Sequence, residues 1–425
     1  MKHSYKDSKV EWLGLIPEEW EIGKIGHVYT ERREKVSDED YPPLSVTMQG
    51  IVPQLSSAAK SDAHDNRKLV LTGDFAINSR SDRRGSCGIS KYDGSVSLIN
   101  TVLKPKAKMN PNYYDWVFHS TVFADEYYKW GHGIVDDLWT TNWQDMKRIS
   151  IPIPPITEQE IIADFLKNEC EVVDLLILNT KQSIEEYKKM KRIIITNATT
   201  KGLRANVKMK ASGIEWIEEI PENWEVIKFK YLATDVFKGA GITKEDVKEN
   251  GEIPCVRYGE IYTQYNFHFD ECKSRTNEDC VSQPRYFSYG DILFTCTGEL
   301  VEEIGKAIVY LGDEKCMAGG DIIIARHKQN PIFMSYALNS NYAQSQRSYG
   351  KAKLKVVHAS AYDINNTIMV MPPIKEQEEI AEYLDEQCKE IDSIIEAKNL
   401  LVQELELYKK SLIYEYVTGK RRVVD

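Results

Sequence analysis

Two segments of the chain place core candidates at a regular 4-3 spacing, and each follows a Pro-Pro-Ile sequence. In the first segment these positions are Leu166, Cys170, Val173, Ile177, Thr180, Ile184, Tyr187, Lys191, Ile194 and Ala198. In the second they lie 218 positions later, at Leu384, Cys388, Ile391, Ile395, Lys398, Val402, Leu405, Lys409, Leu412 and Tyr416. Such spacing over several heptads is typical of a coiled-coil seam. We therefore predict two long helices whose polar seam members set the register.

The helices belong to an internal repeat, which organises the whole chain. Pro154–Leu166 (PPITEQEIIADFL) returns as Pro372–Leu384 (PPIKEQEEIAEYL), and Val10–Ile25 returns as Ile214–Phe229. Each copy therefore has an opening Trp and Ile-Pro segment, a variable region and a closing helix. The variable regions match poorly, apart from hints such as GDFAIN, which begins at Gly73, and GDILFT, which begins at Gly290.

The variable regions have the pattern of mixed, strand-rich domains. Runs such as Leu69–Ile77 and Lys306–Gly312 are rich in β-branched and aromatic residues, and shorter helical candidates such as Tyr113–Phe123 lie between them. The predicted fold class is α+β. The pattern divides the chain into a first variable domain (1–153), a first long helix (154–205), a second variable domain (206–371) and a second long helix (372–425).

Each predicted helix needs a partner for its apolar seam. The other helix can serve, and a pseudo-two-fold relation between the copies would pair the two antiparallel and hold the variable domains apart. A helix hairpin in an ordinary core and a homodimeric coiled coil are the alternatives, but neither explains the duplication. Thr157 and Glu160 have the spacing of a capping box, which the second copy lacks because Lys375 replaces the threonine.

Composition describes a globular protein of several domains. The 425 residues are 42% hydrophobic and 28% charged, and no apolar run suggests a signal peptide or membrane span, so we expect a cytoplasmic protein. Eight scattered cysteines without a CxxC pair predict buried thiols and no metal site. The net charge of −10 lies mostly after residue 205, and it does not exclude a local basic groove that binds nucleic acid.

Motifs for catalysis are not recognisable. Gly298–Ala307 lacks the spacing of a phosphate-binding loop, and Asn330–Phe333 (NPIF) lacks the second proline of an amino-methylation motif and is interpreted as a turn. No nuclease-type acid cluster or HExxH pair occurs. We expect no catalytic residues, no metal and no cofactor in this chain.

Binding candidates in the first half lie in two stretches. Ser79–Gly85 (SRSDRRG) carries arginines suited to phosphates and guanine edges, and Trp130–Gln144 carries polar groups able to bond bases or phosphates. A solvated loop and a loop that packs its tryptophans inward are the alternatives. The DNA-contact candidates are Arg80, Ser81, Arg83, Arg84, His132, Thr140, Thr141 and Asn142.

The second half offers different side chains. Arg257 and Tyr258 follow a short predicted strand, and Thr295 and Thr297 follow GDILF. Lys351, Lys353 and Lys355 alternate, so on a strand they would share one face and could neutralise phosphates, although a solvent face explains them equally well. If both halves bind DNA, different side chains at matching places predict two different half-sites.

The repeated segments resemble the specificity subunit of type I restriction-modification enzymes. The resemblance rests on IPEEW (Ile16–Trp20) with IPENW (Ile220–Trp224), on PPITEQE with PPIKEQE, and on the closing TNATTKGL and YEYVTGK. It covers nearly the whole chain. It implies two target recognition domains that each read half of a split DNA sequence, with two antiparallel helices as spacer.

The resemblance also implies partners: double-stranded DNA, two adenine-methylating subunits docked on the helical region, and restriction subunits that translocate DNA. S-adenosylmethionine, ATP and magnesium would belong to those partners. Two alternatives stay open at the sequence level. The chain could be the detached specificity subunit of a type II (IIB or IIG-like) system, or a coiled-coil adaptor that binds proteins only.

Overall fold

A computed structural model describes residues 4–54, 65–80, 83–133, 139–298, 304–348 and 357–423. Contacts within the chain divide it into two compact units. The first comprises residues 1–181 and 399–425, and the second residues 182–398. Each unit therefore combines one variable region with part of each long helix, and the first unit is built from two separate stretches of sequence.

The first variable region is strand-rich, as predicted. Its elements in chain order are β1 (Tyr5–Asp7), β2 (Leu15–Pro17), β3 (Glu21–Lys24), α1 (Ile25–Val28), β4 (Tyr29–Glu31), β5 (Lys35–Val36), β6 (Leu44–Thr47), β7 (Gly50–Pro53), β8 (Arg67–Val70), β9 (Phe75–Asn78), β10 (Cys87–Ile89), β11 (Gly94–Val96), β12 (Asn100–Pro105), α2 (Pro111–His119), α3 (Thr121–Lys129), α4 (Trp143–Met146), β13 (Ser150–Ile153) and the long helix α5 (Ile156–Lys201). A four-stranded sheet in the order β10-β9-β12-β4 forms its centre.

The second variable region has β14 (Met209–Ile214), β15 (Ile217–Pro221), β16 (Glu225–Lys228), β17 (Ala233–Lys238), β18 (Ile253–Val256), α6 (Tyr258–Thr263), β19 (His268–Phe269), β20 (Ser274–Thr276), β21 (Tyr286–Phe287), β22 (Ile292–Thr295), β23 (Thr297–Gly298), β24 (Ala307–Tyr310), β25 (Cys316–Ala318), β26 (Ile322–His327), α7 (Pro331–Asn339), α8 (Asn341–Ser348), β27 (Val357–His358), α9 (Ala361–Asn366), β28 (Ile368–Met371) and the long helix α10 (Ile374–Val417). Its central sheet has the order β17-β26-β22-β24-β19.

The two variable regions share one fold although their sequences match poorly. Strands β4, β12, β9 and β10 have the same neighbours in the first sheet as β17, β26, β22 and β24 have in the second. In both regions a helix pair follows the sheet and a short helix precedes the final strand. The hint from GDFAIN and GDILFT is therefore confirmed, because it marks the equivalent strands β9 and β22.

The predicted apolar seams lie on the side of α5 and α10 that is shielded from solvent. Within each unit the helix portions run antiparallel: Phe165 and Tyr416 stack with ring centroids 4.5 Å apart, and Lys191 contacts Asp392. Of the seam positions predicted as spacer contacts, those that are buried are Leu166, Val173, Ile184, Leu384, Ile391 and Val402, and those that are half-buried are Ile177, Ile395 and Leu405. The seam prediction is confirmed in both helices.

Two tryptophans tie the opening segments to the start of each helix. The Trp20 indole donates a hydrogen bond of 2.8 Å to Glu158, and the Trp224 indole donates one of 2.7 Å to Glu376. Both rings are fully buried. The repeated Trp and EQE letters thus encode one contact, made once in each unit.

The repeated glutamine of EQE is also buried in each unit. Gln159 donates to the Pro154 carbonyl at 2.8 Å and accepts from the Asn110 backbone N–H at 2.9 Å. Gln377 makes the equivalent bonds to Pro372 and Asn330, at 2.9 and 3.0 Å. Since buried backbone groups need partners, each glutamine fixes the position of its helix against the variable region.

Two local predictions are wrong. Helix α5 begins at Ile156, so Thr157 lies inside its first turn and does not cap it. The NPIF segment is not a simple turn, because Asn330 accepts a hydrogen bond from the Phe333 N–H and caps α7, which begins at Pro331. Proline directly precedes α5 and is the first residue of α7, where its missing N–H costs nothing.

Six of the eight free cysteines are buried, and Cys272 and Cys280 are half-buried. In the described part of the chain, no cluster of three or more His, Cys, Asp or Glu residues could hold a metal ion. No described helix is both long and apolar enough to cross a membrane.

Candidate nucleic-acid interface

Two separate stretches of the first variable region meet beyond the end of the central strand β9. Arg80 forms an antiparallel bridge with Thr140, which also bridges His132. The backbone N–H of Thr141 donates to the Ser79 carbonyl at 3.0 Å. The two candidate stretches of the sequence are therefore one surface. We call residues 79–80, 83–86, 130–133 and 139–142 the first loop cluster.

Arginines dominate the exposed part of this cluster. Arg80 and Arg83 are both exposed. Arg84 stacks on the Tyr128 ring, with its guanidinium carbon 3.8 Å from the ring centroid, and lies 3.3 Å from an Asp125 oxygen. Ser81 lies outside the described residues. All three arginines therefore present charge to the surface, and Arg84 is held there by contacts with Tyr128 and Asp125.

The polar residues of the second stretch divide by burial. His132 is exposed, and its Nε2 lies 3.5 Å from Asp145. Asn142 caps α4, accepting from the Gln144 N–H at 2.7 Å. Thr141 is only 2% exposed, and its hydroxyl donates to the Tyr127 carbonyl at 2.9 Å. The expectation that the Thr141 hydroxyl faces DNA is thus corrected, because that group is buried and already bonded.

The second variable region forms the same junction. Strand β23 pairs with β27, so that Thr297 lies opposite His358, and the Thr297 hydroxyl is 3.3 Å from the His358 Nδ1. Thr297 follows β22 as Arg80 follows β9, and β22 and β9 are equivalent strands. We call residues 296–298, 304–306 and 357–360 the second loop cluster. Lys351, Lys353 and Lys355 lie outside the described residues.

Thr295 is a further correction. It is completely buried at the end of β22, and its hydroxyl shares a 2.7 Å hydrogen bond with Tyr262. The Tyr262 hydroxyl also donates to the Thr297 carbonyl at 3.0 Å. Thr295 therefore supports the cluster from inside. Tyr262, which the sequence prediction missed, links helix α6 to this strand end.

Helix α6 also lines an open cleft of about 830 Å³. Tyr258 is 43% exposed there, and Arg257 is half-buried and pairs with Glu260 at 3.0 Å. Lys244 and Lys273 line the same cleft but come from distant parts of the chain. No local sequence pattern could have found them. The cleft combines an aromatic ring with basic side chains, which suits a nucleic-acid backbone and its bases.

The loop clusters thus occupy equivalent places but carry different chemistry. Arginine, threonine and histidine meet in the first, whereas threonine faces histidine in the second, in a domain whose open cleft is lined by Tyr258. Hydrogen bonding to base edges depends on side-chain type. One scaffold therefore presents two distinct surfaces.

Comparison with known proteins gives the same organisation. The family model for the type I restriction modification DNA specificity domain matches residues 17–186 and again residues 221–404. The MjaVIII specificity subunit of a type I restriction enzyme from Methanocaldococcus jannaschii is 26% identical, over 99% of this chain and 97% of the relative. The EcoKI specificity subunit of Escherichia coli K12 is 23% identical, over 64% of this chain and 58% of the relative.

Solved structures support the fold. A chain from a type I R-M system, described for its complex assembly and conformational transition, aligns with a TM-score of 0.73 at 14% identity, over 96% of this chain and 99% of that one. The HsdS subunit from Thermoanaerobacter tengcongensis aligns with a TM-score of 0.53 at 15% identity, over 96% and 98%. With one family match on each copy of the repeat, and more than half of the sequence matched, the chain belongs to the type I restriction-modification DNA specificity family.

Proposed function

We propose that each variable region reads one half of a split, asymmetric DNA target, and that the two long helices set the spacing of the halves. One observation carries this proposal: the two loop clusters stand at equivalent strand ends but present different side chains. Equivalent placement suits the same task, and different side chains suit different base sequences. The chain itself acts as a non-catalytic recognition subunit.

The spacer role is supported by the helices. Helix α5 has 46 residues and α10 has 44, so each rises by more than 60 Å at about 1.5 Å per residue. One turn of B-DNA spans only about 34 Å. Ion pairs between the helices, such as Lys409 with Asp174 at 2.7 Å, fix the register of the pair.

Membership of the family supports the partners that we propose. Two methyltransferase subunits dock on the helical region, and restriction subunits join them to cleave DNA. Adenine methylation requires S-adenosylmethionine and ATP-driven cleavage requires ATP and magnesium, which the partner subunits hold. Because the substrate is DNA, the assembled complex works in the cytoplasm.

The deciding experiment maps methylated adenines in a methylation-free host that expresses this chain with its methyltransferase. The expected result is a split motif with a fixed gap. Replacing Arg80 and Arg83 by alanine should relax one half of the motif, and replacing Thr297 and His358 by alanine should relax the other. A continuous motif, or no methylation that depends on this chain, would contradict the proposal.

Binding and cleavage assays separate the two alternatives. A protein-only adaptor would give no salt-dependent affinity for duplex DNA in complex with its partners. A type II-like system would methylate a motif but cleave near it without ATP. The proposed function requires salt-dependent binding and, when restriction subunits are present, cleavage that depends on ATP.

A further inference from the structure

Arg347 on α8 is a buried guanidinium with incomplete bonding. Its side chain is only 1% exposed, and Nη2 donates a 2.6 Å hydrogen bond to the Leu338 carbonyl. Among the described residues, Nε and Nη1 have no hydrogen-bond partner. Burial lowers the pKa of Arg347 to about 10, so the side chain still carries its charge at neutral pH.

A buried charge without an anion is costly. Proteins normally pair such a group, because its desolvation is not otherwise offset. No acidic residue in the described part of the chain forms an ion pair with Arg347, and the ring of Phe294 lies 6.0 Å from its guanidinium carbon. The weak attraction of that ring does not replace a full negative charge. The arrangement therefore lacks a counter-ion.

The unbonded side of Arg347 faces the second loop cluster. A Cβ on Gly305 would lie 2.9 Å from the Arg347 Nε and 3.7 Å from the Ala359 Cβ. Gly305 also has φ +69°, which disfavours any side chain there. Gly305 comes from one arm of the cluster and Ala359 from the other. The guanidinium thus lies beneath the junction of the two arms, and a side chain at position 305 would clash with its Nε.

In the first variable region, the equivalent position carries an uncharged side chain. Tyr127 on α3 occupies the place on the helix pair that Arg347 occupies on α8, and its hydroxyl donates to the Thr141 carbonyl at 3.0 Å. Its bonding is therefore complete. The fold does not need an arginine at this position, so Arg347 is a feature of the second recognition surface alone.

We propose that Arg347 binds a backbone phosphate of the target DNA at the second loop cluster. This inference rests on the proposed function and adds a phosphate contact to it. A phosphate supplies the missing negative charge and accepts from Nε or Nη1. Because Arg347 is buried in the free chain, the backbone around Gly305 and Ala359 must shift when DNA binds.

The test measures the affinity of the full chain for a 40-base-pair duplex pool as the NaCl concentration rises. Each phosphate contact contributes about 0.9 to the slope of log K against log salt. Arg347→Tyr introduces the side chain that the first region already accommodates, so the variant should fold, and its slope should be shallower by about 0.9. Arg347→Lys keeps the charge and should retain the wild-type slope.

Arg326→Met is the matched control, since Arg326 already lies near Asp235 and Asp291. It should leave the slope unchanged. A slope for Arg347→Tyr equal to that of the wild type would overturn the inference, whatever the change in stability, because a purely structural arginine does not alter counter-ion release. If the wild-type chain showed no salt-dependent binding either alone or in complex with its methyltransferase subunits, the proposed function would fail instead.

Discussion

The ammonium of Lys191 lies 2.6 Å from the Asp392 carboxylate. The equivalent contact in the repeat joins Lys409, 218 positions after Lys191, to Asp174, 218 positions before Asp392. Lys191 is a polar member of the α5 seam and is largely buried, whereas Asp392 is more exposed. The internal repeat thus extends to single ion pairs. Each pair places a charge in an apolar seam and satisfies it from the facing helix, which penalises a shift in register.

Asp392→Ala should lower the free energy of unfolding by about 1 to 3 kcal/mol, because it leaves the Lys191 charge partly buried without its partner. Urea denaturation measures the change. Glu406→Ala is the control, since its pair with Lys181 is exposed on both sides. That variant should cost under about 1 kcal/mol. Equal losses in the two variants would show that burial of the lysine is unimportant.

Gln159→Leu should destabilise the first unit by about 2 kcal/mol, because it leaves the partly buried Asn110 N–H and the buried Pro154 carbonyl without their hydrogen-bond partner. Thr157→Ala should stay within about 0.5 kcal/mol, since Thr157 is exposed and does not cap the helix. Thermal and urea unfolding measure both. A larger loss of stability in Thr157→Ala would mean that Thr157 caps α5 after all.

Acid should destabilise the second unit through His327. Burial lowers the pKa of His327 to about 4, against about 6.5 in the unfolded chain. Between these values the unfolded state binds the extra proton, so stability is full above pH 6.5 and falls by up to about 3 kcal/mol as the pH drops to 4. His327→Gln should flatten this part of the pH profile of urea unfolding. An unchanged pH profile would mean that a group other than His327 causes the loss of stability in acid.

Alanine at Arg80, Arg83 and Arg84 together should weaken specific DNA binding and relax one half-site. A base-reading arginine contributes about 1 to 3 kcal/mol and one base position. Arg84→Ala alone should have the smaller effect, because that side chain is held by Tyr128 and Asp125. Competition binding with mapped target duplexes measures each variant. Unchanged affinity and preference in the triple variant would remove these arginines from the interface.

Thr295→Val should cost about 1 kcal/mol of stability and leave the base sequence of the second half-site unaltered. Its hydroxyl bonds to Tyr262 inside the domain and does not reach the surface. Methylation mapping and urea unfolding read the two effects separately. A changed half-site in a chain of normal stability would mean that the hydroxyl contacts DNA after all.

Sequence periodicity predicted the helices well because a coiled-coil seam is a local, repeating pattern. Positions as far apart as Leu166 and Ala198 follow one rule, so the direction of each side chain is known once the period is known. The stretches around Arg80 and Thr140 do lie together at the end of a strand, and their contact with DNA stays a prediction.

The remaining features depend on contacts between distant residues. Nothing near Thr141 or Thr295 in the sequence distinguishes a buried hydroxyl from an exposed one. Lys244 and Lys273 meet in one cleft only after the chain has folded, and the incomplete bonding of Arg347 is visible only when its neighbours are known. Periodicity describes which way a side chain points, but not what it meets there.

Each compact unit is completed by the helix end that belongs to the other copy of the repeat. Gly202, just beyond α5, packs against Trp224, and Gly419, just beyond α10, packs against Trp20. The Tyr5 hydroxyl also lies 3.4 Å from the Lys420 carbonyl. The end of each copy of the repeat therefore packs against the opening segment of the other copy. A circularly permuted chain, joined near Tyr5 and Lys420 and opened at the exposed link around Asn206, would make the same contacts in a different order, so the order of the two halves in the gene is not fixed by folding.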